Sequence, residues 1–322
     1  MKGVSFVVTL YNKEKYLEAT LRSILAQEGD FEREYIVVDD QSTDRSLEIA
    51  QDIIGGLPNG KVISQSNTGP AGAQNKGVSF SSLPVLKFID ADDLYPPDCI
   101  KRLLPGLDLP GVALVHGDGK VLDSFDDKIS IDRKGVLPSF KVIDNPLFNA
   151  IKYTLSGASA ILVDREAYLA CGGCDEKVFL HENSMIFRLG INKSFAFTDD
   201  IVLFGPPREF RTKYGGHLGD DMIQMEHDRN AALYGLIRDF SNLPLSIKRI
   251  ALKRAAGRSW NWSRRINKKK IFCDKVFWIR LISYLPWLPN YENFLLRTLA
   301  PYRVSKKVRL PPAALEEELE LK

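Results

Sequence analysis

Four polar clusters in the first hundred residues each follow a short apolar run: Thr9-Leu10-Tyr11-Asn12, Asp39-Asp40, Asn67-Thr68-Gly69 and Asp90-Ala91-Asp92-Asp93. The last places up to three carboxylates within one turn, and like charges that close must be neutralised. Hard divalent ions such as Mn2+ or Mg2+ take oxygen ligands and often bridge one or two carboxylates to a diphosphate. An ion so placed neutralises charge developing on a departing phosphate oxygen. Asp40 ends an apolar run, so its carboxylate can be partly buried and accept a hydrogen bond from a base N–H. Tyr11 offers a flat face for base stacking, and glycines 69, 72 and 77 permit close backbone approach to a diphosphate. The first βα turn lacks Gly-x-Gly-x-x-Gly, which argues against a dinucleotide dehydrogenase, and no Walker loop is present. A nucleotidyltransferase is disfavoured as well, because no glycine-rich loop with a following basic residue succeeds the first strand. Taken singly, an aspartate at a strand end is an ordinary turn or cap residue. Four such clusters at successive element ends point instead to a shared site.

The elements that must position these residues alternate in period. Val4 to Leu10 is β-branched and apolar and reads as a buried strand, followed by helical spacing over Glu14 to Gln27 at Tyr16, Leu17, Leu21, Ile24 and Leu25. Tyr35 to Val38, Lys61 to Ser64 and Val85 to Ile89 read as further strands. Ser42-Thr43-Asp44 supplies cap residues for a helix through about Ile54, and Thr68 to Ser79 is glycine-rich and then helical. Strands alternating with helices predict right-handed β-α-β units and an α/β fold with a mostly parallel sheet, whose ligands lie beyond the carboxyl ends of the strands.

The stretches TLYNKEKYLEATLRSILAQ, IVVDDQSTDRS, NTGPAGAQNKG and FIDADDLYPP, in this order and spacing, resemble family 2 glycosyltransferases of the GT-A fold over about residues 1–215. The resemblance implies a Rossmann-like, mostly parallel central sheet flanked by helices. It implies a nucleotide-sugar donor lying across the sheet edge, and a divalent metal held by the Asp-x-Asp motif. By that resemblance Thr9, Tyr11 and Asp40 would hold the base with Asp39 beside it. Asn67, Gly69, Asn75 and Arg211 would join the donor site, Asp90 would contact ribose or metal, and Asp92 would ligate the metal with Asp93 as a further candidate. A UDP-sugar is the expected donor and a glycan or lipid-linked glycan the expected acceptor. The chain departs from the usual pattern where Ala-Arg-Asn reads Ala73-Gln74-Asn75, removing a positive charge often found near the donor.

Further along, residues 155–163 look like the small-residue strand that lines the acceptor side, and Cys171-Gly-Gly-Cys-Asp-Glu176 resembles the Gly-Gly-Phe-Asp-Glu turn of the family. A redox or zinc role for that single C-x-x-C is the other reading, and the turn accounts for both glycines. The family's Glu-Asp base position falls in His181-Glu182-Asn183-Ser184-Met185-Ile186-Phe187-Arg188-Leu189. Counting back from Arg188-Leu189 puts Glu182 at the base, with His181 as the fallback; a ragged alignment would put Asn183 there, and an amide cannot accept the proton. Arg208, Arg211 and Lys213 before Gly215-Gly216 read either as a lid that closes on the diphosphate or as a plain surface loop.

Composition sets the frame. With 44% apolar and 26% charged residues, 322 residues make an ordinary globular chain, and four cysteines exclude a disulfide scaffold. Residues 1–244 hold 26 basic and 35 acidic side chains, residues 245–310 hold 17 and 2, and residues 311–322 hold 1 and 4. All four tryptophans lie in the basic segment. The break predicts a GT-A domain over 1–240, with a donor half to about 110 and an acceptor half over 111–240. A basic aromatic helical subdomain over 241–310 and an acidic tail over 311–322 follow. Trp and Tyr beside Lys and Arg, with Leu and Ile on another face, suit a helix lying on an anionic membrane surface, and Pro286 and Pro289 break the segment before it could span. A helical subdomain packed on the body is the alternative, and nucleic acid is a less favoured partner. No basic-then-apolar leader precedes the first strand, so the expected location is cytoplasmic, with peripheral attachment to the cytoplasmic face of the membrane as the companion reading. A non-catalytic carbohydrate- or membrane-binding protein that kept the GT-A fold is the competing function.

Overall fold

The computed structural model describes residues 3–123, 136–153, 157–207, 209, 222–266 and 271–304. The chain forms two compact units: residues 1–146, 157–173 and 192–217 make one, and residues 147–156, 174–191 and 218–322 the other.

The first unit is built on an eight-stranded sheet ordered β3-β2-β1-β4-β7-β5-β8-β6. The strands are β1 (Gly3–Leu10), β2 (Glu32–Asp39), β3 (Gly60–Ser64), β4 (Val85–Asp90), β5 (Val112–Val121), β6 (Lys141–Ile143), β7 (Ile161–Asp164) and β8 (Ser194–Gly205). β1, β2, β3 and β4 pair in parallel, as do β5 and β8, whereas β7 runs antiparallel between β4 and β5 and β6 antiparallel along β8. Continuous apolar runs suit strands covered on both faces, and nearly every residue of β1 and β4 is buried.

α1 (Leu17–Leu25) packs Leu17, Leu21 and Ile24 into a core with Phe6, Val8 and Leu10 of β1 and Ile89 of β4. That helix starts three residues later than the apolar spacing predicts, because Lys13 O accepts from Tyr16 N and Leu17 N in a turn that precedes it. α2 (Ser46–Ala50) runs into a π-helical turn over Gln51–Gly55, and α3 (Gly69–Ser79) leads from β3 to β4. α3 lies close on the sheet because Gly77 has no side chain: a Cβ there would sit 2.4 Å from Cγ1 of Val7. α4 (Cys99–Leu103) follows the aspartate cluster. Of the stretch expected as one strand over 155–163, residues 155 and 156 lie outside the described residues, and the strand begins only partway through the rest. Gly157 adopts φ +100°, Ala158–Ala160 form a 3-10 turn, and β7 begins at Ile161. α6 (Arg165–Ala170) is capped by the Asp164 carboxylate, which accepts from Ala167 N at 2.7 Å.

The second unit is helical: α5 (Leu147–Tyr153), α7 (His181–Leu189), α8 (Met222–Asp239), α9 (Leu245–Ile266), α10 (Lys275–Ile282) and α11 (Tyr291–Arg297). α8 buries Ala231, Leu233, Tyr234 and Leu236. α9 packs on α8 through polar contacts as well: Asn230 donates to Ala255 O and Ser259 Oγ, and Arg258 Nε donates to Asn230 Oδ1 at 2.8 Å. Arg258 therefore does not belong to a solvated basic face, and burial pushes its guanidinium down to about 10. Gly257 leaves room for Arg280 of α10, whose Nη1 donates to Lys253 O at 3.0 Å. No helix among the described residues is long and apolar enough to cross a membrane.

Candidate functional site

The parallel register of β2, β1 and β4 brings the polar clusters to one edge. Leu10 lies opposite Asp39, and Thr9 lies opposite both Val38 and Asp90. Tyr11, immediately beyond β1, is 42% exposed, as a stacking face requires. Asn12 holds a left-handed φ of 51° and ties two loops together: its N donates to Ser42 Oγ, and its Oδ1 accepts from Thr43 N at 2.8 Å.

Asp39 and Asp40 are both buried. Asp39 accepts from Ser42 N and Ser64 Oγ, each at 3.3 Å. Asp40 is held more tightly. Its Oδ1 accepts from Thr68 N and Gln65 Nε2, both at 2.9 Å, and its Oδ2 from Gly69 N at 2.8 Å. The carboxylate thus satisfies free N–H groups at the start of α3, with Gly69 at φ +81° making the entry turn. A carboxylate offers about four lone-pair sites, so one direction on Oδ2 remains for a further donor. Asn67 is exposed, and its Nδ2 donates to Asp40 O at 3.0 Å. Asn75, on α3, accepts from the Tyr168 hydroxyl at 2.7 Å, and its Oδ1 lies 2.6 Å from where a Cβ of Gly173 would be. At φ +65°, Gly173 belongs to the Cys171–Cys174 turn.

Asp90 ends β4, and its backbone N donates to Ser159 Oγ at 3.3 Å. Asp92 is buried and pairs with Lys13, Nζ to Oδ2, at 2.6 Å. Burial, and then the charges of Asp92 and Asp90, push the Asp93 carboxyl well above the usual carboxylate range. Beneath this turn lies Lys87, fully buried in β4, whose Nζ donates to Ser159 O and sits 4.8 Å above the Tyr95 ring. Burial pulls its ammonium below the usual lysine range, opposed by Cys99, Asp93 and Asp90.

No three His, Cys, Asp or Glu side chains form a ready-made metal cage among the described residues. The donor set nonetheless fits a divalent ion of the magnesium class. Such an ion uses one or two carboxylates and completes its shell with water and substrate phosphates. Burial raises the Asp93 carboxyl first and the neighbouring carboxylates second, and one ammonium, that of Lys13, already sits against Asp92.

His181 and Glu182 open α7 in the helical unit, with His181 buried and Glu182 partly exposed in the first turn. Asn183, the competitor for the base position, is 1% exposed. Ahead of the pair, Leu180 N donates to Asp228 Oδ2 at 2.9 Å, and behind it Ser184 Oγ accepts from Asp175 N at 3.0 Å. Arg188 pairs with Asp239 at 2.6 Å, which anchors the far end of α7 to α8. Arg211, with Arg208 and Lys213 of the expected lid, lies outside the described residues. Sequence reading missed Lys13, Lys87 and Ser159. The visible signal was Lys87, a lone charge inside the apolar run Val85 to Ile89.

Residues 5–162 match the family model described as glycosyl transferase family 2. An uncharacterized glycosyltransferase of Nostoc sp. is 32% identical over 128 residues, 37% of this chain and 39% of the relative. The succinoglycan biosynthesis protein ExoO of Rhizobium meliloti is 30% identical over 158 residues, 46% of this chain and 44% of the relative. The chain thus aligns with less than half the length of these curated relatives. Among solved structures, S. aureus TarS (residues 1–349) superposes with a TM-score of 0.60 at 19% identity, covering 94% of this chain and 92% of that one. Its UDP-GlcNAc complex gives 0.54 at 17% identity over 94% of this chain and 92% of that one. The mannosyltransferase PcManGT of Pyrobaculum calidifontis, in complex with GDP-Man and Mn2+, gives 0.53 at 17%, covering 94% of this chain and 86% of that one. At these identities the likeness establishes the GT-A fold.

Proposed function

We propose that the chain transfers a sugar from a nucleoside-diphosphate sugar to an acceptor hydroxyl by an inverting single displacement. The observation that carries the reading is the shared edge of β2, β1 and β4, where Leu10 stands opposite Asp39 and Thr9 opposite Asp90, with Tyr11 exposed beside them. Tyr11 stacks the base, and the remaining lone pair of Asp40 accepts from a base N–H. A UDP-sugar is the donor we favour, in keeping with the UDP-GlcNAc complex of TarS. Asp92 and Asp90, with Asp93 beside them, would hold a Mn2+ or Mg2+ ion, which when bound neutralises charge on the departing diphosphate.

Glu182 is the proposed base, being the partly exposed carboxylate in the first turn of α7 where Asn183 is buried. It takes the acceptor O–H proton as that oxygen bonds to the anomeric carbon. The bond from that carbon to the phosphate oxygen breaks, and its electron pair leaves with the nucleoside diphosphate. His181 is the fallback base.

The acceptor we propose is a glycan or lipid-linked glycan of a cell-envelope polysaccharide, in line with the name of the ExoO relative. The helical unit supports access to a membrane surface. Phe272, Trp278, Tyr284 and Trp287 are between 49% and 70% exposed, and Lys253 and Arg280 lie within 4.8 Å of the Tyr284 ring centre. Such attachment would be peripheral, on the cytoplasmic face.

The test is a panel of nucleotide sugars screened for thermal stabilisation with and without Mn2+, followed by transfer assays with the best binder. Metal-dependent stabilisation by one donor, with release of its nucleoside diphosphate, is the expected result. Stabilisation by glycans alone, with no response to any nucleotide, would replace the enzyme by a carbohydrate-binding protein of the same fold.

A further inference from the structure

We infer that Lys13 is a built-in counter-cation of the aspartate turn and competes with the divalent ion for Asp92. The inference rests on the reading of Asp92 as a metal ligand. Lys13 and Asp92 lie 79 residues apart in sequence, yet Nζ and Oδ2 meet at 2.6 Å with side chains only 14% and 11% exposed.

The backbone that carries Lys13 is fixed from several sides. Its N donates to Ser46 Oγ at 2.7 Å, and its O accepts from Tyr16 N and Leu17 N, both at 2.9 Å. Its neighbours are tied to the same loop, Asn12 N to Ser42 Oγ at 3.0 Å and Glu14 N to Asp44 Oδ2 at 3.1 Å. The ammonium itself passes 5.6 Å from the Tyr16 ring centre. The loops after β1 and β2 thus hold the root of the side chain in place and leave its flexible stem to reach the turn after β4.

That turn carries Asp90, Asp92 and Asp93, and the Lys13 ammonium sets one positive charge directly against it. A divalent ion on Asp92 needs oxygen lone pairs that the ammonium now occupies, and two cations on one carboxylate oxygen repel. Lysine suits a displaceable partner, because it is a point charge on a flexible stem and lacks the bidentate fork that locks arginine onto a carboxylate. The chain therefore binds the metal weakly by itself. An anionic diphosphate offers the displaced ammonium a new partner, so ion and nucleotide bind more tightly together than apart.

The experiment measures Mn2+ binding to the full chain, without nucleotide, from the electron paramagnetic resonance signal of the free ion. The variants are Lys13→Met, Lys13→Gln, Lys13→Arg and Asp92→Asn, each checked by its circular dichroism spectrum. Lys13→Met and Lys13→Gln should tighten Mn2+ binding about five- to tenfold, the worth of a partly buried ion pair. Lys13→Arg should leave it at or below the parent value, and Asp92→Asn should abolish it. Two neutral substitutions are used so that a folding defect in one does not decide the result. If Asp92→Asn loses the metal while neither neutral variant binds it more tightly, the competition is refuted and the metal reading stands. Parental Mn2+ binding in Asp92→Asn would overturn the metal reading and the competition with it.

Discussion

Asp40 has one duty in the fold, anchoring the start of α3, and one proposed duty at the base, and a single substitution can separate them. In Asp40→Asn one carboxylate oxygen becomes an NH2 group, and both oxygens currently face donors of the chain: Thr68 N and Gln65 Nε2 on one side, Gly69 N on the other. Whichever way the amide turns, an N–H opposes an N–H in a site where Asp40 is 3% exposed. A hydrogen bond to a charged group contributes about 1.5–3 kcal/mol, and a buried donor left unpaired costs about 1–3 kcal/mol. The two figures overlap for the same donor, so the net loss should be ~3 kcal/mol. For a unit of this size that corresponds to a fall in melting temperature of roughly 6–12 °C. UDP affinity, measured well below the transition, should fall as well, because α3 begins at the disturbed pair. The assay is thermal unfolding followed by circular dichroism, paired with calorimetric titration of UDP. A variant that melts within about 1 °C of the parent would refute the anchoring argument. If it also lost UDP, the carboxylate would serve the base and not the helix.

Asp92→Asn should make UDP affinity the same in Mn2+ as in EDTA, whereas the parent should bind UDP more tightly with Mn2+; equal affinities in the parent would remove the metal from donor binding. Glu182→Gln should leave donor affinity near the parent value and lower turnover by about two to four orders of magnitude. Undiminished turnover would move the base to His181 or to another group. Glu34 is buried, which raises its carboxyl, but hydrogen bonds from Ser5 Oγ, Ser82 N, Leu83 N and Ser82 Oγ outweigh that and hold it below its ordinary value of 4.5. Its contribution to stability is therefore complete above about pH 4.5 and lost as acid titrates it, so Glu34→Gln should flatten the acid limb of the urea-midpoint profile. Co-sedimentation should show the chain on anionic but not neutral vesicles, weakened by salt and by Trp278→Ala with Trp287→Ala; equal binding by the double variant would place the contact elsewhere.

The donor side was legible mainly because β1, β2 and β4 are buried along most of their length and announce themselves as apolar runs. Val4 to Leu10, Lys61 to Ser64 and Val85 to Ile89 lie within one residue of β1, β3 and β4. β2 begins at Glu32, three residues before the apolar run, because Glu32 and Arg33 pair with Gly3 and Val4 while carrying polar side chains that hide the strand. Beyond β4 the parallel alternation stops. β7 inserts antiparallel between β4 and β5, and β8 pairs with β5 through register shifts, so neither strand follows the pattern that made the first four readable. The segment read as a surface helix broken by Pro286 and Pro289 is helical over Lys275–Ile282 and ends four residues before Pro286, because the last turn closes on Ser283 and leaves Tyr284 to Trp287 exposed.

Site residues divide along the same line. Asp40, Asp90 and Asp92 could be picked out because each stands at the end of an apolar run, and that position alone implies an edge. What each carboxylate touches depends on which strand lies beside which, and the run does not record it. Lys13 meets Asp92 because β1 is the neighbour of β4, and Lys87 meets the backbone of Ser159 and Ile161 because β7 lies on the other side. In sequence these are a lysine in a polar loop and a lysine in an apolar strand, with no spacing that links either to a partner more than 70 residues away. Asp40 shows the same limit from the opposite direction. Its place at the end of β2 suggested a contact with a ligand, and both of its carboxylate oxygens turn out to hold the chain itself. The carboxylate that orders the start of α3 is also the one proposed to meet the base, so rigidity at the helix entry and the proposed recognition of the base would rest on a single side chain.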